Sequence, residues 1–148
     1  MSVEYKGKLL EVIDFHSHTY PDKIAPRVIE AGRTQWQLPN TTDATVNDTL
    51  KKMAEWGVDR SVTLNLAVTP KQQTTINNTA ATLEAETGGK ILPFGSVHFA
   101  HPDAVAELER IQSLGLYGIK LHPNSQGFAF NDPTMFPIYE KCEQLGLP

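Results

Sequence analysis

Four times along this chain, a short apolar run rich in β-branched residues gives way to a longer stretch with helical periodicity, closed by glycine. The strand-like runs are residues 9–16, 60–66, 91–98 and 117–122. Strands that alternate with helices of this length must return to the same edge of the sheet by crossover. That order predicts an α/β fold with a parallel sheet and right-handed connections.

The helical stretches carry their own punctuation. Thr42 or Asp43 can cap a helix that runs to about Trp56, with Val46, Leu50, Met53 and Ala54 on one stripe and Gly57 as its stop. Pro70 opens the next helix, which Gly88 and Gly89 end. Pro102 and Asp103 begin another, in which Val105, Leu108, Ile111 and Leu114 keep helical spacing up to Gly115. Asp132 and Pro133 open a last one, with Phe136, Tyr139 and Glu140 along it and Gly146 at its end. Residues 21–31 are helix-prone despite Pro26. Residues 32–40 read as an excursion loop anchored by Trp36 and Leu38, placed to act as a lid or substrate wall.

Two parallel architectures fit this order: an open doubly wound sheet and a piece of a (β/α)₈ barrel. A doubly wound nucleotide binder carries a glycine-rich turn after its first strand. Here that turn is His16-Ser17-His18-Thr19-Tyr20-Pro21, and the next glycine is Gly32. In addition, His18, Asn65, His98 and His122 fall at the C-terminal ends of four different expected strands, which is where a barrel gathers its active site. The barrel is therefore expected. A complete one takes about 250 residues, and this sequence has 148. The expectation is four βα units, half of a TIM barrel in one domain, stopping before a fifth strand.

Composition narrows the function. A net charge of -4 argues against a nucleic-acid partner or a polybasic membrane contact. No apolar run approaches the length of a bilayer span, and the first residues lack the apolar core of a signal peptide. The single cysteine, Cys142, leaves no intramolecular disulfide and suits a reducing, cytoplasmic setting. It lies in a helical stretch with no base near it in sequence, so a small apolar group is expected rather than a nucleophile.

Chemistry enters with Asp14, His16 and His18. On a regular strand these three share one face, and Ile13, Phe15 and Ser17 share the other. Two imidazoles so placed can ligate one metal ion, a spacing that a helix would not present on one face. The same residues could also be two unrelated histidines beside a surface turn. Asp14, one step deeper, would support the ligands or be satisfied by backbone donors.

The stretch Ile13-Asp14-Phe15-His16-Ser17-His18, followed by Pro21-Asp22-Lys23-Ile24-Ala25-Pro26-Arg27, resembles the opening of the amidohydrolase-related family of metal-dependent (β/α)₈ hydrolases. Gly118-Ile119-Lys120-Leu121-His122-Pro123, Gln126-Gly127-Phe128 and the residues from Asn131 to Glu140 are similar to that family's fourth unit. The family is similar in turn to metal-dependent decarboxylases on the same fold. The resemblance implies that His16 and His18 hold a divalent metal, zinc first and manganese second. It also implies further ligands on the fifth and eighth strands and a histidine on the sixth, beyond this sequence.

His122 and Lys120 share a face of the fourth expected strand and are the candidate catalytic pair, Lys120 binding a substrate carboxylate. Relatives with two metals carry a carbamylated lysine on this strand, but the resemblance is to the single-metal branch. Asn65 and His98 are candidate substrate contacts, and His101 a loop or helix-entry residue. The expected activity is hydrolysis of a small molecule, with metal-activated water attacking an amide, ester or lactone carbon. This half alone is expected to lack that activity. The alternatives are decarboxylation on the same fold, or a non-catalytic half whose open sheet edges pair it into a homodimer.

Overall fold

The computed structural model describes residues 3–36 and 41–148, the side chains of Gln35 and Trp36 excepted. The chain divides into two compact units, residues 1–63 and 64–148, each described by itself.

The first unit opens with an antiparallel hairpin, β1 (Val3–Tyr5) and β2 (Lys8–Leu10). The connection is Lys6-Gly7, both with positive φ (51° and 74°), the two-residue turn whose twist matches a hairpin's. From sequence, residues 9–16 read as one buried strand. Leu9 and Leu10 belong instead to the hairpin, and strand β3 starts at Ile13 (Ile13–Ser17). Nor is β3 buried: Phe15 is 65% exposed and Ile13 44%. It lies parallel to β4 (Arg60–Thr63), whose Ser61, Val62 and Thr63 are buried.

Helix α1 (Ala25–Trp36) runs through Gly32, where a loop was expected. Pro26 sits in its first turn, where no intrahelical N–H is lost. One interior glycine costs only about 1 kcal/mol against alanine, too little to stop the helix. Leu38, the second expected loop anchor, lies outside the described residues. Helix α2 (Val46–Trp56) is capped by Thr45, whose Oγ1 accepts the Asp48 N–H at 3.2 Å. The expected cap Asp43 acts one step back, its Oδ1 accepting from Thr45 N at 2.8 Å. Gly57 ends the helix in the left-handed conformation, its N–H donating to the Met53 carbonyl. The buried stripe is Thr49 and Met53, with Ala54 exposed.

The second unit carries the apolar core. Helix α3 (Gln73–Glu86) follows a single 3₁₀ turn opened by Pro70. Strand β5 (Ile91–Pro93), helix α4 (Ala104–Ser113), the short α5 (Pro123–Gln126) and α6 (Phe136–Leu145) complete it. Val97, Leu108, Ile111, Leu116, Phe128, Met135 and Ile138 are buried together. Residues 117–120 run parallel beside 93–95 rather than forming a long strand. Tyr117 N donates to Pro93 O, Gly95 N to Gly118 O and Lys120 N to Gly95 O at 2.7–3.0 Å. Ile119 N donates to the Pro148 carbonyl at 2.8 Å. Gly118 is required by this packing, since a Cβ there would run into the Phe94 ring and lie 2.8 Å from the Pro148 oxygen. Among the described residues no helix is long and apolar enough to cross a membrane.

Candidate functional site

In the first unit the site is built on an irregularity. Ile13 pairs with Arg60 and Asp14 with Ser61, yet Ser17 pairs with Thr63. Three steps along β3 thus match two along β4, a bulge that adds one residue at Phe15 or His16 and re-aims the side chains beyond it. Residues paired in a parallel ladder share a face, so Asp14 and Ser17 both take the face of Ser61 and Thr63. The strict alternation expected to align Asp14 with His16 and His18 is interrupted. Asp14 Oδ1 accepts the His16 backbone N–H at 3.0 Å, closing the kink locally.

Past the bulge, hydroxyl groups do the work of the missing ladder. Ser17 Oγ donates to the Val62 carbonyl at 3.1 Å, and Ser61 Oγ donates to Ser17 Oγ at 2.8 Å. Thr63 Oγ1 accepts the Thr19 backbone N–H at 3.1 Å and is hydrogen-bonded to Thr19 Oγ1 at 3.0 Å, with either hydroxyl able to donate. Thr19, Ser61 and Thr63 are buried. His16 and His18 alternate with these anchored residues, and their rings stand edge to face with centroids 5.2 Å apart.

That spacing can be tested against a shared ion. With metal–nitrogen distances of about 2.0–2.1 Å and a tetrahedral angle, two imidazole centroids lie about 5 Å apart. The separation of the two rings is compatible with two ligands of one divalent ion. Among the described residues no group of three or more His, Cys, Asp and Glu side chains is gathered to hold a metal.

In the second unit Gln126 is the hub. Its amide is buried, Nε2 donating to the carbonyls of Ala67 at 3.0 Å and Val97 at 2.8 Å, while Oε1 accepts from His122 N at 2.8 Å. One side chain thereby ties three separate backbone segments together. Ser96 Oγ adds a second tie, donating to Lys120 O at 2.9 Å and accepting from Ala67 N at 3.0 Å. Asn77 completes the set: Oδ1 accepts Ser96 N at 2.8 Å, and Nδ2 donates to Ser96 O at 3.0 Å and Glu107 Oε1 at 2.7 Å.

The second unit's histidines all cap backbone. His122 Nδ1 accepts Ser125 N at 3.2 Å, so its ring proton sits on Nε2 as a donor. His98 Nδ1 accepts Ala100 N at 3.2 Å, and the ring also bonds the Val68 backbone. Contact with a substrate would require His98 to give up one of these bonds. Burial pushes its pKa below the ordinary 6.5, offset in part by the Val68 bond. His101 Nδ1 accepts Asp103 N at 3.0 Å at the entry to α4, the loop position expected for it. Asn65 is buried two residues beyond the end of β4, and Lys120 is half-buried.

Glu107 is the second unit's buried charge. Burial pushes its carboxyl up, but hydrogen bonds from Arg110 and Asn77 and the Arg110 charge outweigh this and hold it below the ordinary 4.5. Cys142 is half-buried, and burial pushes its thiol up. That suits an inert apolar group.

The amidohydrolase family profile matches residues 13–148. A 2-amino-3-carboxymuconate-6-semialdehyde decarboxylase from Dictyostelium discoideum is 36% identical over 73 residues, 48% of this chain and 20% of that protein. The solved 5-carboxyvanillate decarboxylase of Novosphingobium aromaticivorans, complexed with manganese, superposes with a TM-score of 0.73 at 18% identity. That likeness covers 93% of this chain and 49% of the solved one. A probable 2-pyrone-4,6-dicarboxylic acid hydrolase from Acinetobacter baumannii superposes at 0.59 with 18% identity, covering 93% and 48%. The chain thus spans about half the length of these solved relatives. It belongs to the amidohydrolase family, with a partial α/β barrel fold that carries both parallel and antiparallel strand pairs.

Proposed function

We propose that this chain is part of a metal-dependent decarboxylase acting on a small carboxylated, unsaturated or aromatic acid. The observation that carries the reading is the 36% identity over 73 residues to a decarboxylase. The higher TM-score of the solved decarboxylase than of the hydrolase supports it as well, 0.73 against 0.59. Together these favour decarboxylation over the hydrolysis expected from sequence.

His16 and His18 would hold the ion, manganese or zinc. When bound, the ion would anchor the substrate's oxygens and draw negative charge away from the carbon that loses its carboxylate. Lys120 supplies a cation suited to a carboxylate. His122 offers Nε2–H as an oriented donor, fixed by its cap on Ser125. Asn65 is a further amide able to bond a substrate oxygen.

The test is CO₂ release from carboxylated aromatic acids, with and without added manganese or zinc. It is run on this chain and on any longer product of the same gene. Metal-dependent release, lost in His16→Ala and His18→Ala, is the expected result. Lactone or amide hydrolysis without CO₂ release would return the assignment to hydrolysis.

A further inference from the structure

The buried hydroxyls between β3 and β4 are more numerous than strand pairing requires, and they cluster where the ladder slips. We infer that Thr63, acting through Thr19 and assisted by the Ser61–Ser17 pair, is the positioning residue that sets the two histidines for a shared metal ion. The inference rests on the proposed metal role of His16 and His18.

A bulge removes regular pairing just where the chain must present two imidazoles at fixed separation. From Ser17 onward the backbone is instead held by side chains. Val62 O accepts from Ser17 Oγ, and Thr63 Oγ1 accepts from Thr19 N. Ser17 and Thr19 are the residues that flank His18 on either side. Both anchors are on the buried side of the strand, and their partners Ser61 and Thr63 are buried on a regular strand. The pair Thr19–Thr63 contributes two bonds through one hydroxyl, so removing that oxygen takes away one bond at the Thr19 N–H and another at its hydroxyl together. His16 is held separately by the Asp14 carboxylate at its own N–H. The clasp therefore governs the position of His18 relative to His16. Groups that orient metal ligands without touching the metal typically change affinity by roughly 10- to 100-fold.

The experiment compares wild type, Thr63→Val, Thr63→Ser and His18→Ala by cobalt(II) and zinc titration. In parallel, the nuclear Overhauser contact between the His16 and His18 ring protons is read without metal. Thr63→Val should weaken metal binding by roughly 10- to 100-fold and lose the ring contact, with far-UV circular dichroism unchanged. Thr63→Ser, which keeps the hydroxyl, should restore both. Wild-type affinity and an unchanged ring contact in Thr63→Val would overturn the inference. Failure of wild type to bind, or binding unaffected by His18→Ala, would sink the metal reading instead. The metal-free ring contact then still decides whether Thr63 positions the pair. Should Thr63→Val fail to fold, Ser61→Ala replaces it in the same two measurements.

Discussion

The two units hold their functional groups by different means. In residues 64–148 the backbone segments are locked from inside by buried amides over an apolar core. Gln126 bridges three backbone segments, and Asn77 saturates both backbone polar groups of Ser96. In residues 1–63 strand β3, which carries His16 and leads into His18, has large apolar side chains exposed and is held with the residues just beyond it by four hydroxyls. A buried amide network is costly to break, because each lost partner leaves another group buried and unsatisfied. A hydroxyl clasp on an exposed strand can be loosened with less loss of stability. The second unit should govern whether the chain folds, and the first should govern the geometry of its metal ligands.

The largest effect should come from the second unit's core. Ile111→Ala removes a fully buried side chain that packs on Gly95 and should cost about 2–5 kcal/mol. Urea unfolding measures it, and a loss under about 1 kcal/mol would mean this core is not what holds the unit. The first unit's exposed apolar strand should next show itself as self-association. Phe15→Ser with Ile13→Thr is expected to lower the apparent mass in light scattering. A wild-type monomer with no dye-accessible apolar surface would remove the homodimer from consideration.

Acid should act on the second unit in two stages. His98 and Glu107 both have pKa values held below their ordinary 6.5 and 4.5. Each then contributes stability that is complete above its unfolded value and lost as pH falls through its folded one. Stability should decline from below pH 6.5 through His98, and again from below 4.5 through Glu107. His98→Gln should flatten the first decline, and an unchanged profile would separate His98 from it. The smallest effect belongs to the first unit's helix cap, where Thr45→Ala should cost about 1 kcal/mol by denaturant unfolding. A much larger loss would mean that this unit is coupled more tightly than its hydroxyl clasp suggests.

Much of the fold could be read directly. Gly57 and Gly146 stop helices where expected, both in the left-handed conformation. Pro70 and Pro133 each open a 3₁₀ turn ahead of a helix. These are local events, fixed by what a glycine or proline backbone permits. The misreadings were non-local. Residues 9–16 read as one strand because Leu9 to Phe15 are largely apolar, but the Lys6-Gly7 turn assigns Leu9 and Leu10 to a hairpin. Glu107 fell on the polar side of a helical stripe, yet Arg110 and Asn77 make it a buried residue. Gln126 and Asn77 look like ordinary polar residues until the backbone segments they join are known. A serine and a threonine two apart on the strand Arg60-Ser61-Val62-Thr63 are a usable signal that one buried face carries hydroxyls.

By itself the sequence determined the alternation of strands and helices, the places where helices stop, and the pairing of two histidines two residues apart. Each depends on periodicity or on the conformational limits of a single residue, and both are local. Only the tertiary structure decided that a bulge interrupts the alternation between Asp14 and Ser17, and that Thr19 and Thr63 hold the strand beyond it. Those facts depend on which residue of another strand stands opposite, and register is fixed by packing and hydrogen bonding between segments distant in sequence.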